Sequence, residues 1–302
     1  MNTTTSAGTS TFEGTPIPRP LPPLGEHAGA VYDHIVGATR AYVERAGFSD
    51  VVLGLSGGID SALVATIAVD AFGPDHVRGV LMPSQHSSSH SLTDAADLAA
   101  RLGIQTMTVP IRPVYEAFTQ ALATAEGYRG APGVAEENLQ ARIRGTLLMT
   151  LSNRHGWFVL ATGNRSEALA GYATLHGDMV GGYAPLAPLY KGYVYELADY
   201  RNACAGSGSY VATSPIPPSC IAKEPSAELR PGQLDRHALP DYPALDSVLH
   251  LMVDQGKDAD ALEALGYDPE LIREVTRLVA ASAFKRAVAA PGPEMPAGGP
   301  GA

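Results

Sequence analysis

The chain has 302 residues, 45% of them hydrophobic, enough apolar material to bury a substantial core. A net charge of −10 excludes a general nucleic-acid binder or a basic membrane-surface protein, because both need a cationic face. Two cysteines, Cys204 and Cys220, exclude a disulfide scaffold and lack metal-site spacing, and no apolar run approaches the roughly 18 residues of a membrane span.

The N-terminus has neither a basic start nor an apolar stretch, so no secretory signal is read there and a cytoplasmic protein is expected. Residues 1–27 are rich in Thr, Ser, Gly and Pro and are predicted to be a flexible leader; 290–302 reads in the same way as a tail. A single domain is expected over 28–289. Its pattern opens with a helix over 28–46, with Val31, Ile35, Ala38 and Tyr42 at spacings of three and four. Strands are predicted at 51–55, 77–82, 104–109 and 157–161. Helices fall between them, at 60–72, from a Ser91 cap to Leu102, at 112–125 and at 136–153. The segments 171–191 and 203–235 lose periodicity and read as functional loops. Helices return at 243–254, 258–265 and 268–288, the last opened by Asp268-Pro269. Alternating strands and helices imply an α/β fold: a doubly wound parallel sheet of about five strands, helices on both faces, then C-terminal helices. Ligands in such a sheet bind at the C-terminal ends of the strands.

The string Ser56-Gly57-Gly58-Ile59-Asp60-Ser61 follows the first strand and opens a helix. Its glycines let the backbone approach an anion, the helix start presents N–H groups, and Ser56 and Ser61 add hydroxyls. Asp60 is suited to hold Mg²⁺ against phosphate oxygens. No lysine stands in the loop, unlike the GxxxxGK[ST] cradle. The plainer alternative is a glycine-rich turn with a capping Asp. The string resembles the pyrophosphate loop of the ATP pyrophosphatases, whose adenine nucleotide alpha hydrolase-like fold it implies.

Five further segments narrow the resemblance. They are Leu81 to Ser88 leading to Ser91-Leu92-Thr93-Asp94-Ala95, Glu137-Asn138-Leu139-Gln140-Ala141-Arg142-Ile143-Arg144-Gly145, Thr162-Gly163-Asn164-Arg165-Ser166-Glu167, Gly171 to Met179, and Pro225 to Pro231. In this order they are similar to NAD synthetase, in particular to the synthetase half of its glutamine-dependent form, from about residue 30 to 292. The resemblance implies a ligase. ATP adenylates the carboxylate of deamido-NAD with loss of pyrophosphate, and ammonia displaces AMP to give NAD. It implies ATP and Mg²⁺ as cofactors and a homodimer, with no nucleic acid or membrane as partner. The glutaminase half has no counterpart in this sequence, so ammonia is expected from solution or from a separate glutaminase subunit.

By position, the resemblance gives Ser56, Gly57, Gly58, Asp60 and Ser61 to the pyrophosphate. Met82 and Thr162 go to the adenosine, Lys191 to a phosphate near the adenylate, and Asp60 and Glu167 to the metal. Asp178 falls in the loop over the site of ammonia attack, as a catalytic residue with Lys191. Asn138, Arg142, Arg165 and His176 fall on the acceptor side, and Asp178 with them. Each has a plainer reading: Arg142 as a solvated helix arginine, Glu167 as a helix-start carboxylate, Asp178 as a turn residue, Lys191 as a surface lysine. Four positions depart from the family's habit: Arg165 for Lys, His176 for Tyr, Pro188 for Asp and Gly192 for Thr. These motivate a second expectation, a diverged member amidating another carboxylic acid. A third is a catalytically silent nucleotide-binding subunit, which intact Asp60, Glu167 and Lys191 oppose. A tRNA-modifying adenylating enzyme is opposed by the acidic charge and the lack of paired cysteines.

Overall fold

The computed structural model describes residues 14, 17–125, 128, 133–204 and 214–296. Four parallel strands form one sheet in the order β3-β2-β1-β4, with β1 at Val51–Gly54, β2 at Val77–Leu81, β3 at Gln105–Thr108 and β4 at Phe158–Val159. Val51 lies opposite Val77 on one side and Phe158 on the other, so β1 is central. Its side chains alternate between two apolar layers, as a strand covered on both faces requires. Val51 and Leu53 join the larger core, packed beneath the helices α1 (Ala28–Arg45) and α2 (Ile59–Phe72), whereas Val52 joins the smaller one. That second layer holds Val80, Ile143, Leu148 and Val159 beneath α5 (Val134–His155), with Tyr115 of α4 (Arg112–Leu122) against it.

The doubly wound parallel α/β architecture follows the sequence reading, but the sheet has four strands among the described residues rather than about five. A fifth position is reduced to one parallel bridge, Leu160 to Tyr183. Beyond Tyr183 the chain runs through Pro185 and Pro188, which carry no N–H to extend a ladder. A second correction concerns α3 (Ser89–Leu102): Ser88, not Ser91, is its cap, the Ser88 hydroxyl accepting from the Ser91 N–H at 3.1 Å. The chain winds β1, β2, β3 to one side and then crosses back through α5 to β4 on the other. The resulting switch point lies between the C-terminal ends of β1 and β4.

The helices α6 (Arg165–Ala170) and α7 (Lys191–Ala203) follow β4. Beyond them come α8 (Pro218–Ala222), α9 (Tyr242–Leu249, running on as a π-turn over His250–Asp254), α10 (Ala259–Ala264), α11 (Pro269–Ala281) and α12 (Ala283–Arg286). Where the sequence predicts one helix over 268–288, Ser282 separates α11 from α12, its hydroxyl donating to the Leu169 carbonyl at 2.8 Å.

Residues 17–27 depart from the expected flexible leader. Leu24 is buried, its N–H donates to Glu196 Oε2 at 2.7 Å, and the Pro22 carbonyl accepts from Tyr193 Oη at 2.9 Å. Residues 291–296 also pack down rather than trailing free, with the Pro291 carbonyl accepting from the Ala184 N–H at 2.8 Å and Met295 against the core. The rest of the expected leader and tail lies outside the described residues, Gly14 excepted. Among the described residues no helix is long and apolar enough to cross a membrane.

Candidate active site

The turn after β1 forms as its sequence dictates. Gly57 has φ +76°, the left-handed region, and a Cβ there would lie 2.3 Å from the Ser91 carbonyl oxygen. Glycine is therefore required twice over, by conformation and by the close approach of α3. The two serine hydroxyls brace the turn: Ser61 Oγ donates to the Gly58 carbonyl at 3.0 Å and lies 3.0 Å from Ser56 Oγ, which accepts from the Gly58 N–H at 3.2 Å. Gly58 is the N-cap of α2, a 14-residue helix whose positive end faces the switch point.

Behind the loop lies a buried charge cluster. Lys191, only 2% exposed, directs Nζ to Asp60 Oδ2 and lies 3.3 Å from Glu167 Oε1. Asp60 comes from α2, Glu167 from α6 and Lys191 from the first turn of α7, so three elements meet at one ammonium. Asn164 caps α6, accepting from the Glu167 N–H at 3.0 Å, and its side-chain amide donates to Asp60 Oδ1 at 2.8 Å. Burial raises the Glu167 carboxyl to about 8 against the pull of Lys191, and the charges of Asp60 and Asp235 add to the rise. Burial opposes the charge on Lys191, but Asp60 and Glu167 together hold it protonated above its ordinary range.

Asp235 completes the acidic wall. Its Oδ2 accepts from Tyr242 Oη at 2.9 Å, while the buried Oδ1 makes no hydrogen bond among the described residues. Three carboxylates around one lysine leave acceptor capacity that the protein does not fill. Among the described residues no group of three or more His, Cys, Asp or Glu forms a ready metal cage. Asp60 and Glu167, though tied to Lys191 and Asn164, both line cavity walls, and one or two carboxylates beside substrate phosphates are the habit of Mg²⁺.

Two cavities, of about 270 Å³ and about 180 Å³, share the wall formed by Ser56, Asp60, Thr162, Glu167 and Asp178. Gly58, Met82 and Lys191 line the first, and Ser61 lines the second. Most of the sequence-predicted phosphate, adenosine and metal residues thus converge. Of the acceptor-side residues, Asp178 lines both cavities, whereas Asn138, Arg142, Arg165 and His176 line neither. Asn138 Oδ1 accepts from Thr174 Oγ1 at 2.7 Å and Arg142 Nε donates to the Leu175 carbonyl at 3.2 Å, so both brace the loop that carries Asp178. That loop lies directly on α5, because a Cβ at Gly145 would stand 2.8 Å from the Gly177 carbonyl oxygen. His176 is exposed, with φ +62°. Arg165 points away: it pairs with buried Asp254 and stacks on the Tyr190 ring, its guanidinium carbon 5.4 Å from the ring centre. Of the other departures, the Gly192 N–H donates to Asp246 Oδ2 at 2.9 Å.

Sequence reasoning missed several charged residues in these walls. Arg144 lines the first cavity and donates to the Met82 carbonyl at 3.1 Å; burial lowers its guanidinium to about 10, against the charges of Glu228 and Asp178. Lys223, Glu228 and Asp235 line the same cavity, from a stretch with no periodicity to orient them. Lys285 reaches the second cavity, donating to the Gly171 and Ala173 carbonyls at 2.7 and 2.6 Å. The available signal was the Lys-Glu-Pro-Ser-Ala-Glu run from 223 to 228, whose charges flank a segment already singled out.

Comparison with known proteins places this geometry among relatives. The family model described as NAD synthase matches residues 31–289. The chain is 47% identical over 277 residues to a glutamine-dependent NAD(+) synthetase of Acinetobacter baylyi, covering 91% of this chain and 50% of that protein. It is 43% identical to the protein of that name from Thermotoga maritima, covering 92% of this chain and 46% of the relative. The chain thus spans about half the length of the curated relatives it matches. A solved glutamine-dependent NAD+ synthetase from Acinetobacter baumannii, in complex with ADP, superposes with a TM-score of 0.62 at 43% identity, over 91% of this chain and 48% of that one.

Proposed function

Because the chain belongs to the NAD synthase family, we propose that it amidates a carboxylate at the expense of ATP, converting deamido-NAD and ammonia to NAD with release of AMP and pyrophosphate. The observation that carries this reading is the meeting of the Ser56–Ser61 turn with Asp60, Glu167 and Lys191 on a wall shared by two cavities. A reaction between two substrates needs two adjoining pockets and a reacting centre between them.

On this reading the Ser56–Ser61 turn holds the β- and γ-phosphates, with Met82 and Thr162 beside the adenosine. A carboxylate oxygen of the acceptor attacks the α-phosphorus, and the bond to the bridging oxygen breaks as pyrophosphate leaves. Lys191, fixed in its charged form by two acids, offsets the charge that builds on the phosphorus. Asp60 and Glu167 are the groups that would hold Mg²⁺, and the ion would supply positive charge against the pyrophosphate. Ammonia then attacks the acyl carbon, AMP leaves with the carbon–oxygen bond, and a proton is released. Asp178 stands on the wall where that attack falls, and Lys285 offers a cation on the acceptor side. Ammonia comes from solution or a partner glutaminase, and the chain acts as a homodimer.

The test is direct. Purified protein is incubated with ATP, MgCl2 and deamido-NAD, with ammonium chloride or glutamine as nitrogen source, and NAD and AMP are measured. NAD and AMP in equal amounts with ammonium are expected. AMP and pyrophosphate without NAD would refute deamido-NAD as the acceptor, and no AMP with any carboxylate tested would refute the ligase reading.

A further inference from the structure

The turn at Ser56–Ser61 contains no lysine, and Lys191 is occupied by Asp60 and Glu167. A second ammonium nevertheless stands beside the turn. Lys223, just beyond α8, directs Nζ to Ser91 Oγ and lies 2.9 Å from Glu228 Oε1. The backbone of Ser91 packs on Gly57 so closely that a Cβ on the glycine would lie 2.8 Å from the Ser91 Cα. Lys223 lines the same cavity as Ser56, Gly58 and Asp60.

Its present partner is held under strain. Glu228 has φ +49°, a left-handed conformation that non-glycine residues rarely adopt. Its carboxylate is nonetheless tied down at several points. Oε1 accepts from Ser91 Oγ at 2.6 Å and from Ser88 Oγ at 3.0 Å, and Oε2 accepts from the Ser88 N–H at 3.2 Å. Strained residues over-determined by hydrogen bonds cluster at ligand clamps and switches. Glu228 belongs to the stretch that lines the cavity, and on the far side of that stretch the Leu229 carbonyl accepts from Gln140 Nε2 at 2.8 Å.

We propose that Lys223 is a phosphate-binding residue, held beside the turn by Glu228 and Ser91 and transferred to the β- or γ-phosphate when a nucleotide triphosphate enters. The assignment rests on the ATP reading given above. Lys223 supplies from a distant part of the chain the cation that the turn lacks, and Glu228 keeps it in place while the cavity is empty. Arg144, the third cation of this cavity beside Lys191 and Lys223, is engaged with the Met82 carbonyl and faces Glu228 and Asp178. No bond is made or broken in the transfer; one ion pair is exchanged for another.

The experiment compares the unaltered chain with Lys223→Met, Lys223→Arg and Glu228→Gln. Titration calorimetry with Mg-ATP, Mg-pyrophosphate and AMP gives the binding constants. Lys223→Met should weaken ATP and pyrophosphate by about 10- to 100-fold, the worth of one charge-assisted contact, and leave AMP unchanged. Lys223→Arg should retain most of the affinity. Equal affinity of Lys223→Met and the unaltered chain for ATP, or equal weakening of ATP and AMP, overturns the assignment. If Lys223→Met does not fold, Glu228→Gln decides: the released lysine should tighten pyrophosphate binding by about threefold or more, and unchanged or weaker binding overturns it. Failure of the unaltered chain to bind ATP overturns both this assignment and the reading beneath it. Normal ATP binding with an indifferent Lys223→Met overturns this assignment alone.

Discussion

Adjacent glycines in the turn after β1 carry unequal constraints. Gly57 adopts φ +76° and touches the Ser91 backbone, whereas Gly58 has φ −95° and a Cβ there would meet only Ser56 Oγ at 3.4 Å. Gly57→Ala therefore combines a left-handed alanine with a collision that backbone must absorb, a cost of about 3 kcal/mol or more. Gly58→Ala should cost only about 1 kcal/mol, the loss expected when alanine replaces a better N-cap without a backbone collision. Chemical denaturation of the two variants checks this, and similar midpoints for both would refute the reading of the turn. Residue-level reading of the sequence was strongest here, because the conformation and the bracing hydroxyls of the turn lie within six consecutive positions, although the approach of Ser91 does not. It was weakest at Arg165. Its partner Asp254 lies 89 positions away, and no spacing rule connects the first residue of α6 to the end of a π-turn.

At the scale of elements, the strand–helix alternation was legible because each buried strand is a short apolar run. The four-strand count was not, since the fifth position fails for want of N–H groups rather than for want of apolar residues. The arrangement of α6, α7 and α9 was equally hidden, as it depends on one acid. Asp246 of α9 accepts from Ser166 Oγ of α6 and from the Gly192 N–H of α7, joining the elements that carry Glu167 and Lys191. Burial raises the Asp246 carboxyl from 3.8 to about 6, against the hydrogen bonds from Ser166 and Gly192. The folded chain keeps a proton there that the unfolded chain has already released. Stability from this group is thus fully present below pH 3.8 and is lost as the pH rises through about 6. Asp246→Asn cannot ionise, so its stability relative to the unaltered chain should improve between pH 4 and pH 6 and then level off. Urea denaturation of both proteins across this range measures the difference. A gap independent of pH would show that Asp246 does not titrate as its burial requires.

Across the whole molecule, the stretch before α1 clips the back of the site together. The Arg19 carbonyl accepts from Ser247 Oγ of α9 and from Tyr267 Oη, the latter at 2.7 Å. Three residues on, the Pro22 carbonyl accepts from Tyr193 of α7, and the Leu24 N–H reaches Glu196 of the same helix. Leu21 also approaches Gly192, where a Cβ would lie 3.5 Å from Leu21 Cδ2 and 3.6 Å from Asp246 Oδ2. The strap therefore joins α7 to α9 outside the cavity linings, and Lys191 and Asp246 each lie one residue from its contacts. Buried Leu24 and the four hydrogen bonds hold the strap against the entropy of ordering it, so its loss should destabilise the fold. With a chain starting at residue 17 as reference, a chain starting at residue 25 should melt several degrees lower. Its ATP-dependent activity should fall further on warming than that of the reference, because the elements that loosen first carry Lys191. Thermal melting and activity after stepwise heating test both statements, and equal melting points would mean that the strap rests on the surface without holding it.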